Sequence, residues 1–359
     1  MPMPIEPVTS IGSASARGTE LSSATPTPTP MGRDEGLSTA ATSPGSLDSI
    51  SVDASAVTWS GAFDSVSSMP AQTVRISGFS DEIAAGFEEQ LRVVTSLGMS
   101  HLCLRAADGK GIADFTLDEA RDDLLPRLRA AGVSVSALGS PIGKIDIGDE
   151  DGFARQLLQL DVLCNVAAVL ETDRIRMFSF YIPKGDNPDD HGDVVLAKVR
   201  RFEEIARRHE ITLVLENEKY LFGDIGRRCD WLLRTIDSPY LRAAFDFANF
   251  VQCDDDPVAC WALLHDYVGD IHIKDARYNQ KGNVLCGSGD GQIAEILAGA
   301  LRGFEGFLTL EPHLATFDTF ASLEREAGIS ARLPDLYGSG AEAYSAQYVA
   351  LQAILVGAR

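Results

Sequence analysis

Four residues able to bind a hard or borderline cation stand at or near the ends of successive apolar runs in the second half of the chain. They are Glu216 in Leu-Val-Leu-Glu, Asp246 in Ala-Ala-Phe-Asp, His272 in Asp-Ile-His-Ile and Glu311 in Leu-Thr-Leu-Glu. Their separations are thirty, twenty-six and thirty-nine residues. Three carboxylates and one imidazole form an oxygen-rich donor set. It suits manganese, magnesium or cobalt with coordination positions left open, and it lacks the thiolates of structural zinc. Three clustered carboxylates repel one another unless a cation holds them, so their convergence itself points to a divalent metal.

Each separation is about one strand-plus-helix unit, and that frames the fold. From Val74 onward, short β-branched runs alternate with longer amphipathic stretches, the pattern of βα units in a parallel sheet. Strands are expected at 74–79, 101–105, 133–139, 174–180, 211–216, 241–246, 269–274 and 307–311. Helices are expected at 86–97, 117–131, 152–171, 193–208, 224–236, 256–266 and 291–302, with a last one at 340–356. Gly98, Gly132, Gly303 and Gly306 stand at the helix-to-strand joints, where left-handed C-caps call for glycine. Eight strands over about 285 residues predict a single α/β domain, a (β/α)8 TIM barrel over 73–359 with a C-terminal helix. An open doubly wound sheet is the competing architecture. The strand count and the absence of a Gly-x-Gly-x-x-Gly turn after the first strand weigh against it. In the barrel all four ligand candidates reach the C-terminal rim, where barrel enzymes build their sites. Alternation puts Val214 with Glu216, and Thr309 with Glu311, on a shared face.

Residues 1–72 have a different character. Roughly two in five are Ser, Thr or Pro, including the alternating Thr-Pro run at 25–30. Without apolar periodicity this stretch reads as a disordered extension. A translation start at Met69, directly before the first strand, is an alternative reading. The net charge of -21 argues against nucleic-acid or membrane partners, because phosphate backbones and anionic lipid repel such a surface. No apolar run long enough to span a bilayer is present, nor is a basic-then-apolar secretory leader. The six cysteines (Cys103, Cys164, Cys229, Cys253, Cys260 and Cys286) are scattered, without a Cys-x-x-Cys pair. They read as buried thiols of a cytoplasmic protein.

Residues 74 to about 320 resemble the xylose-isomerase-like barrels, which include sugar phosphate isomerases and epimerases, ketose 3-epimerases and aldose–ketose isomerases. The resemblance rests on Leu-Glu-Asn at 215–217, Phe-Asp-Phe-Ala-Asn-Phe at 245–250 and Ile-His-Ile-Lys-Asp at 271–275. Gly-Ser-Gly-Asp-Gly at 287–291 and Leu-Glu-Pro-His at 310–313 add to it. It implies that Glu216, Asp246, His272 and Glu311 bind a divalent metal, manganese first, with magnesium, cobalt or zinc as the other candidates. It also implies that Glu216 and Glu311 serve as acid and base. Two positions depart from the ketose 3-epimerase pattern: Asn249 stands where a substrate-contacting His is usual, and Ser288 where a Glu is usual.

The implied chemistry is proton transfer. An α-hydroxyketone can chelate a Lewis-acidic metal that stabilises the enediolate left when the adjacent proton departs. One carboxylate removes the proton and another returns it. Return to the opposite face of the same carbon epimerises; return to the neighbouring carbon isomerises. The expected partner is therefore a small carbohydrate: a sugar, sugar phosphate or related keto-polyol. Lys144, Arg176, Glu218, Asn249 and Lys274 are the candidate substrate-binding residues, with Arg176 also placed to orient a rim carboxylate. Arg105 is a further anion-binding candidate. Gly287 to Gly291 could cradle a phosphate at a helix start, but it lacks the Lys and Ser/Thr of a P-loop and reads better as a plain loop.

Two other functions share the barrel. A lyase, such as an inosose-type dehydratase or a C-glycoside-cleaving enzyme, would use the same metal and base. A non-catalytic sugar-binding protein would keep the pocket alone. A three-zinc DNA endonuclease of the same superfamily needs more rim histidines than the six present and a basic groove. The segment after about 322 could pack against a second copy in a homo-oligomer.

Overall fold

The computed structural model describes residues 75–280, 282–315 and 337–357. The chain divides into two units, Met1–Val66 and Ser67–Arg359, and all described residues belong to the second. The disordered extension over 1–72, the start at Met69 and the packing segment at 322–336 lie outside the described residues.

Eight strands form one parallel sheet: β1 (Arg75–Gly78), β2 (His101–Leu104), β3 (Ser134–Leu138), β4 (Arg174–Met177), β5 (Thr212–Glu216), β6 (Leu241–Asp246), β7 (Val268–Ile273) and β8 (Phe307–Leu310). Each strand pairs with the next from β2 to β8, and β8 pairs with β1, Arg75 opposite Phe307. A parallel bridge between Phe79 and Cys103, just beyond β1, brings the first two strands together. This is the expected (β/α)8 barrel.

The longer helices bury a stripe against the sheet, as α4 and α5 show. They are α1 (Phe87–Ser96), α2 (Leu125–Ala131), α3 (Glu150–Val169), α4 (Gly192–Arg208), α5 (Gly226–Ile236), α6 (Phe247–Gln252), α7 (Pro257–Leu264), α8 (Ile293–Ala300) and α9 (Gly340–Gly357). In α4 the stripe is Val195, Val199, Phe202 and Ala206; in α5 it is Cys229, Leu232, Leu233 and Ile236. That three-and-four spacing produces an amphipathic helix. Gly132 caps α2 in the left-handed conformation, with φ of 67°. Gly306 differs from expectation: its φ is not positive, and it admits the Gly269 carbonyl and the Phe304 ring where a side chain would stand.

Two further differences reshape the rim. The fourth strand ends at Met177 rather than 180, because the Phe178 N–H turns to the Ile142 carbonyl and Phe180 takes a φ of 69°. Helix α6 was not expected; it starts directly from β6 because the Asp246 carboxylate accepts the Asn249 N–H at 2.9 Å, the N-cap geometry.

Most apolar burial lies between strands and helices, while much of the barrel interior is polar. Ser77 and Ser136 hydroxyls meet at 2.6 Å, and Thr309 donates to Asp270 at 2.7 Å. No described helix is long and apolar enough to cross a membrane. Cys103, Cys164, Cys229, Cys260 and Cys286 are buried thiols, and Cys253 is half-buried.

Candidate metal centre

Parallel register carries the four ligand candidates to one rim. Asp246 ends β6 opposite His272 of β7, Glu216 ends β5 opposite Ala244, and Glu311 follows β8 directly. One potential ligand atom from each lies within 4.8 Å of the other three, and all four residues are buried. His272 Nδ1 is 3.4 Å from Glu216 Oε1 and 3.3 Å from Glu311 Oε2. Lys274 Nζ sits 2.7 Å from Asp246 Oδ2 and 3.1 Å from Glu311 Oε2. Asp246 Oδ2 and His272 Nδ1 make no well-formed hydrogen bond despite complete burial; Asp246 Oδ2 meets Lys274 only as an ion pair. Buried polar atoms left in this state are costly, and both point into the ligand cluster.

Charge leads to the same place. Asp81, Glu82, Glu216, Asp246 and Glu311 are five buried carboxylates, and three permanent cations, Arg105, Arg176 and Lys274, lie among them. The cluster is short of two positive charges, and at neutral pH protons on Glu82 and His272 make up the difference. Burial raises Glu82 to about 8 and Asp246 to about 7. Burial opposes charging His272, yet Glu216 and Glu311 lift it to about 10. Glu216 goes the other way: burial and Glu311 push it up, but His272 and Arg176 prevail and hold it at about 2. Glu311 is also held well below the ordinary carboxylate range, with Lys274 the main cause against burial. A divalent cation fits this donor set: it would replace protons as the counter-charge and give Asp246 Oδ2 and His272 Nδ1, held only in ion pairs, a directed partner.

The other sequence candidates gather around the same space. Arg176 donates to Glu216 Oε2 at 3.1 Å and to the Gly139 and Ser140 carbonyls, so it orients a rim carboxylate. Asn249 donates to Glu216 Oε1 at 3.3 Å and to the Asn217 carbonyl at 2.8 Å. Lys144 pairs with Glu218 at 2.7 Å and lies over the Phe178 ring. Lys144, Arg176, Glu218, Asn249 and Lys274 line one cavity together with Glu216 and Glu311. Arg105 is committed elsewhere than to a free anion: it contacts Asp81 at 2.9 Å, Glu82 at 3.2 Å and Glu311 at 3.0 Å.

Several site residues escaped the sequence reading. Asp81 and Glu82 lie on the turn after β1, where no apolar frame marks them. His313, two residues past Glu311, lines the same cavity; its φ is 46° and its N–H donates to Glu82 at 2.7 Å. A non-glycine residue in that region signals a constrained position. Asn217 exchanges two hydrogen bonds with the Asp246 backbone, at 2.9 and 3.0 Å, and clamps β5 to β6; its signal was adjacency to Glu216. Phe79 supports the assembly from below. The Arg105 and Arg176 guanidiniums lie 4.5 and 4.7 Å from its ring centre, and His272 meets it edge-on at 5.2 Å.

The glycine-rich loop holds a carboxylate of its own. Asp275 accepts the N–H groups of Gly287, Gly289, Gly291 and Ala276, each at 2.9 Å. Those amides are therefore unavailable for a phosphate, and the plain-loop reading describes the segment.

A family model described as xylose isomerase-like TIM barrel matches residues 92–333. No curated protein matches the sequence. Among solved structures, L-ribulose 3-epimerase is 15% identical, covering 80% of this chain and 96% of that one, with a TM-score of 0.62. The IOLI protein with a binding zinc atom is 11% identical, covering 80% and 99%, with a TM-score of 0.61. The probable 3-DHS dehydratase AsbF of Bacillus anthracis, involved in petrobactin synthesis, is 17% identical, covering 66% and 92%, with a TM-score of 0.55. At these identities the likeness is one of fold.

Proposed function

The chain belongs to the xylose isomerase-like TIM barrel family, and from that premise we propose that it is a divalent-metal-dependent isomerase or epimerase of a keto-polyol sugar. The observation that carries the reading is the convergence of Glu216, Asp246, His272 and Glu311 at one rim, a potential ligand atom of each within 4.8 Å of the other three. Glu216, Asp246, His272 and Glu311 would hold the metal, which when bound supplies Lewis acidity to a substrate carbonyl. Manganese is the metal of first choice for this oxygen-rich set.

The chain's own residues divide the remaining work. Glu216 reaches the pocket from the end of β5 and Glu311 from the end of β8, on opposite flanks of Asp246 and His272. Both are ionised at neutral pH, the state that a proton-abstracting base requires. Arg176, 3.1 Å from Glu216 and 3.6 Å from Glu311, fixes the two carboxylates relative to each other. Lys144, Glu218 and Asn249 border the cavity where sugar hydroxyls would be read. A cytoplasmic location and a homo-oligomeric assembly are part of the proposal, supported by the buried thiols and by exposed Val349 and Val356 on α9.

A lyase reading has one observation in its favour. His313 places a further imidazole 3.5 Å from Glu311; burial, then Lys274, holds it at about 3 and so neutral, and it would orient a departing hydroxyl by hydrogen bonding. The test for both is solvent exchange. Manganese-loaded protein in deuterated water should introduce deuterium at a carbon next to the carbonyl of a ketose or inosose, with product release distinguishing lyase from isomerase. Glu311→Gln should lower that exchange by roughly 10²–10⁴-fold with an unchanged circular dichroism spectrum. Wild-type rates of exchange in that variant would remove Glu311 from the proton-transfer pair.

A further inference from the structure

The ligand set occupies the rim of β5 to β8, yet a larger space than the one beside it opens over the other half. A cavity of about 800 Å³ lies beside the loops that follow β2, β3 and β4. It is continuous with the metal-side cavity in a specific sense: Lys144 and Arg176 line both. Substrate pockets of ~300–1,000 Å³ bury ligands of drug size, and this one is additional to the space at Glu216 and Glu311. A free ketose with its reacting carbons at Glu216 and Glu311 would fill only the near part of it.

The lining indicates what would fill it. Asp114, Asp146, Asp149 and Gln159 present carboxylate and amide oxygens, and Tyr181 adds an aromatic ring. Carboxylates and amides accept hydrogen bonds from hydroxyl groups, and a ring packs against the C–H face of a pyranose. Arg105, Lys144 and Arg176 also line the cavity, already paired with Glu311, Glu218 and Glu216 respectively, and the three aspartates oppose a phosphate or carboxylate substituent beside them. We propose that the substrate is a keto-sugar carrying a second, neutral sugar ring, with the keto-sugar at Glu216 and Glu311 and the second ring in the cavity of Asp114, Gln159 and Tyr181. The inference rests on the proton-transfer reading above for the orientation of the substrate, and it adds a binding site of its own.

Ala113 lies on the wall of that cavity, and its carbonyl accepts from Gln159 at 3.1 Å. Ala113→Trp would fill the space without touching the ligand set. The experiment compares fructose with three glucosyl-fructoses, turanose, maltulose and isomaltulose, by calorimetry on the manganese-loaded protein. At least one disaccharide should bind tenfold or more tighter than fructose, and Ala113→Trp should erase that advantage while fructose binding stays unchanged. Asp114→Ala, at an exposed position, should weaken the disaccharide alone and covers the case in which the tryptophan variant fails to fold. Equal or weaker binding of all three disaccharides, or equal losses for fructose and disaccharide in both variants, would overturn the proposal. Calorimetry requires no turnover. Failure of solvent exchange would therefore count against the proton-transfer reading, and failure of the disaccharide preference against the second-ring site.

Discussion

Lys274 places a permanent positive charge between two of the four residues that would hold the metal. Burial opposes that charge, but Asp246, Glu311 and Glu216 keep the ammonium protonated well above the usual lysine range. An ammonium 2.7 Å from a ligand oxygen competes electrostatically with a cation bound to the same oxygen. Lys274→Met should therefore tighten manganese binding about tenfold, ~1.4 kcal/mol, measured by competition with a chelating dye. Weaker binding in the variant would show that the ammonium arranges the ligands instead. At this scale the sequence was informative where a residue stood at or near the end of a periodic run, as Glu216, Asp246, His272 and Glu311 do. It was silent where a residue's partners lie far away along the chain. Arg105 meets Glu311 across 206 positions, and His313 meets Glu82 across 231, and neither pairing leaves a local pattern.

Among the elements, the sequence located all eight strands within a few residues, because alternation of β-branched runs and amphipathic stretches survives any detail of packing. Helix α6 was missed because its start depends on a side chain that also belongs to the metal cluster: Asp246 was read as a ligand, not as a cap. Helix α9 shows how closely an element can be fitted. Tyr344 is fully buried, its hydroxyl has no hydrogen-bond partner, and it lies where a side chain on Gly78 would stand. Removing an unsatisfied buried hydroxyl relieves its desolvation cost, so Tyr344→Phe should stabilise the protein by about 1 kcal/mol in chemical denaturation. Gly78→Ala should cost ~1–3 kcal/mol through overpacking. A loss of stability in Tyr344→Phe would mean that the hydroxyl is bonded after all.

The stretch 117–131 begins with a capping box: Thr116 accepts the Glu119 N–H, and Glu119 accepts the Thr116 N–H. Thr116→Ala should lower stability by about 1 kcal/mol at neutral pH. Glu119 adds a pH dependence. Its bond from Lys110, then those from Thr116, hold it at about 2 against an ordinary 4.5. Because the folded value is depressed, this contribution is complete above about 4.5 and fades as the pH falls towards 2. The wild-type advantage over Thr116→Ala should shrink across that window; a constant difference would assign the effect to the Thr116 side chain alone.

For the molecule as a whole, the boundary between its two units falls between Val66 and Ser67. A chain beginning at Ser67 should unfold with the same midpoint, within a degree or two, as the full chain; a large drop would assign the first unit a part in barrel stability. Substrate identity was not legible in composition or spacing, since it depends on which loops leave room above the rim. The barrel itself divides along the same line. β5 to β8 carry the candidate ligands, β2 to β4 frame the larger cavity, and the arginines of the first half, Arg105 and Arg176, bond to Glu311 and Glu216 of the second. That seam has a consequence for recombination. A chimera that exchanged the first half-barrel with a relative could acquire new selectivity in one crossover, but only if the incoming half brought both arginines and the Phe79 ring that spaces them. Crossovers lacking them would leave carboxylates buried without their counter-charges, and those hybrids should fail at folding before their selectivity could be scored.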